Sequence, residues 1–162
     1  MSSCSTTPIV DTVVLSGGSS KVIASLGVIQ RLKDEDLINL KNIKYYYGTS
    51  AGALIASFLA VGFSVRKILS ILEDTKIKSN DLKNIILQFS LLPKDVITRE
   101  MNKYFRSTFL ELKKTSDVEL HIYCTNVSRN SSLICNYMNT PDMDIASAVT
   151  MSMSIPPLFP SF

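Results

Sequence analysis

The residues best able to do chemistry in this chain are the serine and glycines of Gly48-Thr49-Ser50-Ala51-Gly52, which spell Gly-x-Ser-x-Gly. Nucleophilic attack needs this shape. A serine on a sharp strand-to-helix turn is held in a strained backbone conformation, and its small neighbours relieve clashes, so Oγ is pushed into the site. The helix behind it aims unpaired N–H groups and a positive dipole end at developing negative charge. With glycine and serine each near ~7% of residues, such a five-residue pattern arises by chance in roughly one chain in twenty of this size. Its placement adds weight, because an apolar strand precedes it and an apolar helix follows. The competing reading is a glycine-rich turn that merely packs a helix closely.

A second loop has the same setting. Ser16-Gly17-Gly18-Ser19-Ser20-Lys21-Val22 follows a strand and opens a helix. It is neither a Walker A loop nor GxGxxG, so nucleotide chemistry is a poor fit. Gly17 and Gly18 can expose backbone N–H groups toward an anion, as an oxyanion hole requires. The argument lies in the pair, an elbow and an anion loop on successive strands separated by one helix. The only histidine, His121, lies inside the strand-like run Val118–Tyr123 rather than on a late loop, which disfavours a Ser-His-Asp triad. A base for Ser50 is then a carboxylate acting directly, or a lysine.

The elements that must position these residues follow from periodicity. Ile9 to Leu15 reads as a buried strand entering a glycine turn. Val22, Leu26, Ile29 and Leu32 form one helical stripe, ending near Asp34–Asp36. Ile43 to Tyr47 is a second strand, and a small-residue helix runs from the elbow to about Val61. Three further stripes predict helices: Val65, Ile68, Leu69, Leu72; then Leu82, Ile85, Ile86, Phe89; then Ile97, Met101, Tyr104, Phe105, after Pro93. Val118–Val127 and Leu133–Met138 read as strands joined by the polar turn Ser128–Ser132. A last helix starts at Pro141–Asp144 and runs through Ala148, with Asp142 as N-cap. Alternating strands and helices imply an α/β layer around a parallel sheet, with both glycine turns on its carboxyl edge.

Composition bounds the rest. The chain has 162 residues, 46% hydrophobic and 19% charged, with net charge +3. It can bury one domain core, and disorder, coiled coil and collagen are excluded. The mild positive charge suits an anionic lipid surface, while no basic stripe points to nucleic acid. Cys4, Cys124 and Cys135 show no paired spacing, so neither a disulfide framework nor a metal site is expected, and a reduced cytoplasmic setting fits best. The N-terminus lacks a signal-peptide pattern. Tyr45–Val65 carries no charge, but its glycines and serines favour strand, turn and buried helix over a membrane span. All six glycines fall at or before Gly62.

Taken together, these residues resemble the patatin-like phospholipase family. Leu15-Ser16-Gly17-Gly18-Ser19-Ser20-Lys21, continuing to Gly27-Val28, is similar to its oxyanion loop and following helix. Gly48-Thr49-Ser50-Ala51-Gly52-Ala53 is similar to its nucleophile elbow. Ser152-Met153-Ser154-Ile155-Pro156, with Phe159-Pro160, is similar to the segment that precedes its acid. The resemblance implies a three-layer α/β/α fold with a mainly parallel sheet over residues 9–162, after a tail at 1–8. It also implies a cofactor-free Ser-Asp dyad that hydrolyses acyl esters of lipids at a membrane surface. Ser50 would be the nucleophile, and Gly17, Gly18 and Ser19 the oxyanion donors. Two positions depart from the pattern, since Ser19 and Val22 stand where the family usually has glycine. The family's acid lies in Asp-Gly-Gly or Asp-Gly-Ala, which the glycine positions exclude here. Asp142 and Asp144 precede the Ser-Ile-Pro segment and do not match it. The expectation is therefore a domain incomplete at its C-terminus. An inactive relative that binds lipid surfaces or protein is the alternative.

Overall fold

A parallel ladder sets the frame. Thr12–Leu15 (β1) lies beside Tyr45–Thr49 (β2), in register from Thr12 opposite Tyr45 to Leu15 opposite Gly48. Glu119–Asn126 (β3) extends the sheet in the same direction, with Tyr47 opposite His121 and Thr49 opposite Tyr123. Ser131–Cys135 (β4) returns antiparallel to β3. The order is β1-β2-β3-β4, mixed and mainly parallel as expected. The structure, a computed structural model, describes residues 9–18, 21–74, 94–126 and 128–154. The expected helix at 82–89, Ser19 and the Ile155–Pro160 part of the third motif lie outside these.

Six helices accompany the sheet among the described residues: Val22–Asp34 (α1), Ala51–Ala60 (α2), Val65–Asp74 (α3), Lys94–Met101 (α4), Phe109–Ser116 (α5) and Ile145–Met153 (α6). Every residue of α2 is buried, so its uniformly apolar sequence belongs to a core helix. It packs on β1, β2 and β3, and also touches α1, α3 and α6, while α6 packs on β3. Val22, Leu26 and Ile29 bury the predicted stripe of α1, and Val65, Ile68 and Leu72 that of α3. Leu120, Ile122 and Cys124 of β3 alternate into this same core. The other sheet face carries Val14, Tyr47, His121 and Tyr123, of which Val14 is 71% and Tyr123 38% exposed.

Several boundaries differ from the sequence reading. The first strand is short, because pairing begins only where Thr12 meets Tyr45, and Ile9 remains 80% exposed. The helix expected through Phe105 ends at Met101, although Phe105 is still buried beyond it. Helix α5 was not anticipated, yet its start is a capping box. Glu111 N–H donates to Thr108 Oγ1 at 3.2 Å, and Thr108 N–H donates to Glu111 Oε2 at 2.8 Å. The last helix begins later than expected, with Asp144 rather than Asp142 at its N-cap. Asp144 bridges Thr108 in extended conformation, which delays the helix start. The helix then continues to Met153 and takes in Ser152.

Candidate active site

Ser50 occupies the junction of β2 and α2 with φ 53° and ψ −127°. The other described non-glycine residues with positive φ are Asp36, Asp117 and Asn130, types that tolerate that region. Serine gains no such relief. Its conformation costs of order 1–3 kcal/mol and persists only where surrounding structure over-determines it.

The surroundings do so at close range. A Cβ on Gly48 would stand 2.6 Å from Ala53 Cα and 2.7 Å from Gly52 O. A Cβ on Gly52 would overlap the Leu15 carbonyl oxygen and stand 2.6 Å from that of Ser16. Gly48 therefore lets α2 fold back over its own strand, and Gly52 lets α2 seat against the end of β1. Ser50 O accepts from Ala53 N–H at 2.9 Å, closing the first turn of α2. Ala51 begins that helix, so the amides of Ala51 and Gly52, ahead of the first intrahelical donor Ala53, lack helical acceptors by geometry.

The two glycine turns meet as the parallel register requires. A Cβ on Gly17 would lie 3.2 Å from Ser50 Cβ and 3.5 Å from Thr49 O, so the Gly17 backbone runs directly against the elbow. Gly17 and Gly18 are both exposed, and Gly18 O accepts from Lys21 N–H at 3.0 Å as α1 is entered. Ser50 Oγ, half-buried, has no hydrogen-bond partner among the described residues. A serine at a helix N-terminus, with an exposed glycine loop packed beside it, has the chemistry to add to a carbonyl.

One further residue belongs to this site, and its sequence context gave it no role. Ser50 N–H donates to Ser152 Oγ at 2.8 Å, and Ser152 Oγ donates to the Tyr123 carbonyl at 2.7 Å. Thr49 Oγ1 reaches the same carbonyl at 3.5 Å. The signal available in sequence was the placement of Ser152 in the third motif.

His121 stands apart. Its ring stacks on Tyr47 at 4.5 Å, on the sheet face away from α2. The Asn136 side-chain amide donates to Nδ1 at 3.1 Å, leaving the ring proton on Nε2, 3.6 Å from Glu119 Oε2. The histidine is a buried strand residue, as its sequence context indicated. Cys124 and Cys135 are buried and free. Contact with Cys135 and burial push the Cys124 thiol up, while the same contact pulls Cys135 down, and both residues are buried in the core. Among the described residues no cluster suits a metal ion, and no helix is long and apolar enough to cross a membrane.

A family model described as patatin-like phospholipase matches residues 13–162. An uncharacterized protein of Acanthamoeba polyphaga mimivirus is 31% identical over 157 residues, covering 89% of this chain and 51% of its own length. A protein named as a probable lipid hydrolase, from Invertebrate iridescent virus 6, is 28% identical over 165 residues, with 91% and 54% covered. The chain thus spans about half the length of the curated relatives it matches. Among solved structures, the type III effector ExoU of Pseudomonas aeruginosa shares the fold with a TM-score of 0.62 at 22% identity, over 93% of this chain and 41% of that one. VipD from Legionella pneumophila does so with a TM-score of 0.60 at 20% identity, over 94% and 44%.

Proposed function

The chain belongs to the patatin-like phospholipase family, and from that premise we propose that it carries the nucleophile of a lipid acyl hydrolase. The observation that carries this reading is Ser50, a serine held at φ 53° with the Gly17 backbone against it. Close packing accounts for Gly48 and Gly52, but not for a serine where glycine would be cheaper. In the proposed reaction Ser50 Oγ attacks an acyl ester carbonyl. Its proton passes to a base, and the oxyanion is met by Gly17, Gly18 and Ser19 N–H groups together with the first turn of α2. Collapse of the tetrahedral species expels the alcohol, and water then releases the fatty acid.

The base is read as an aspartate, as in a Ser-Asp dyad, contributed from outside residues 1–162 of a longer protein. Residues 9–162 are then part of one patatin-like domain. Among the described residues no carboxylate bonds to Ser50. Asp144 opens α6 at the end opposite Ser152, about 12 Å away at the rise of a helix. The substrate class is phospholipid or acylglycerol, met at a membrane or lipid surface by a cytoplasmic, peripheral protein of net charge +3.

A fluorophosphonate probe and fatty-acid release from phosphatidylcholine and diacylglycerol vesicles test this in the natural full-length protein. Labelling at Ser50 and lipid hydrolysis, both abolished by Ser50→Ala, are expected. A wild-type protein that is folded but unlabelled would sink the catalytic reading and favour a lipid-surface binding module, to which Ser19 and Val22 in place of glycine already point.

A further inference from the structure

Three elements far apart in sequence meet at one hydroxyl. Ser152 lies in the last turn of α6, Ser50 is the residue just before α2, and Tyr123 lies in β3 opposite Thr49. Ser152 Oγ accepts the Ser50 N–H at 2.8 Å and donates its own proton to the Tyr123 carbonyl at 2.7 Å. A hydroxyl is the smallest group that can accept from one backbone and donate to another at once. We propose that Ser152 is the positioning residue of the elbow, a clamp that holds the Ser50 backbone in its positive-φ conformation so that Oγ faces the substrate. This rests on Ser50 being the nucleophile.

The clamp is itself anchored. Cys124 Sγ of β3 contacts the Ala148 carbonyl at 3.7 Å, which fixes α6 on the sheet one turn before Ser152. Thr150 Oγ1 donates to the Ala146 carbonyl at 2.8 Å and meets Thr98 Oγ1 of α4 at 3.3 Å. Thr49, the other hydroxyl at the Tyr123 carbonyl, lies at 3.5 Å, and its place in β2 gives it no hold on the elbow amide. Without the Ser152 hydroxyl, a half-buried N–H loses its acceptor and the strained turn loses the bond that opposes its relaxation.

A second consequence concerns the oxyanion. Because Ser152 occupies the Ser50 N–H, that amide is not a donor to the transition state. The elbow's contribution then falls to Ala51 N–H, at the start of α2 and next to Ser50, against which Gly17 packs.

The test compares Ser152→Ala, Ser152→Thr and the control Ser154→Ala, whose hydroxyl donates to the Thr150 carbonyl within the same helix end at 2.8 Å and, among the described residues, makes no bond to the elbow. Two readouts in the natural full-length protein are used. The first is the second-order rate of fluorophosphonate labelling, with kcat and KM for ester hydrolysis. Ser152→Ala is expected to lower labelling and kcat by about tenfold to a hundredfold with KM little changed, the scale of one lost hydrogen bond to the machinery. Ser152→Thr, which keeps the hydroxyl, should recover most of the rate, and Ser154→Ala should match wild type. The second readout is amide hydrogen exchange at Ser50, which does not depend on catalysis. Ser152→Ala should expose that amide while the protection of β2 and α2 is retained. An amide still protected in Ser152→Ala, or labelling and kcat unchanged, overturns the clamp. Absence of wild-type labelling overturns the nucleophile reading instead, and the exchange arm alone then decides the clamp.

Discussion

Ser50 is a residue whose backbone and side chain pull in opposite directions. Its φ of 53° would suit glycine, and the protein bears the strain to place a hydroxyl there. Ser50→Gly should therefore raise unfolding stability by about 1 kcal/mol, measured by urea denaturation, while ending probe labelling. A loss of stability would mean that the turn is not strained. Tyr46 gives a pH-dependent counterpart. It is buried in the core, and burial pushes its hydroxyl up from 10.0 to about 12. The folded state therefore keeps a proton that the unfolded chain gives up first. Its stabilising contribution is complete below about pH 10 and is lost as pH rises from about 10 to about 12. Tyr46→Phe should flatten the alkaline limb of a stability–pH curve in that window. An unchanged limb would show that the burial of Tyr46 does not govern it.

At the scale of elements, two glycines in helices make opposite predictions. Gly52 sits in the first turn of α2 against the Leu15 and Ser16 carbonyls, where no Cβ fits. Gly52→Ala should destabilise by about 3 kcal/mol or displace α2, since backbone cannot yield as a side chain can. Gly27 in α1 is exposed, and a Cβ there would meet nothing within 4 Å, so Gly27→Ala should stabilise by about 0.5–1 kcal/mol through helix propensity. Chemical denaturation of both variants checks the pair, and equal effects would contradict the packing account. Helical stripes at α1 and α3 and the apolar run of α2 were legible because each buries a periodic or continuous face. Helix α5 was missed because only Phe109 and Leu112 of its eight residues are buried, and the capping box at Thr108 was the stronger signal. The later start of α6 was hidden because a bridge between Asp144 and Thr108, 36 residues away in sequence, has no local signature.

Across the whole molecule, the parallel register carries the loop after β1 and the elbow after β2 to the same edge. Antiparallel pairing would have sent them to opposite ends. The same topology separates Asp142 and Asp144 from Ser50, because α6 reaches the elbow with its far end. Replacing both by asparagine should leave ester hydrolysis within about twofold of wild type, since both precede the end of α6 that lies away from Ser50. A fall of several orders would assign the base to one of them. Asparagine is a fair substitute, because Asp144 caps α6 without a side-chain hydrogen bond.

The sequence by itself determined the local parts. A Gly-x-Ser-x-Gly run between apolar segments, a glycine pair before a helical stripe, and the order of strands and helices follow from short-range sterics and periodicity. His121 was readable as a strand residue on the same grounds. Tertiary structure alone decided which distant groups share the site. Gly17 meets Ser50 through strand pairing, and Ser152 reaches Ser50 N–H across 102 positions because α6 packs on β3. That contact depends on where a helix docks rather than on any spacing, and docking is set by the burial of whole faces.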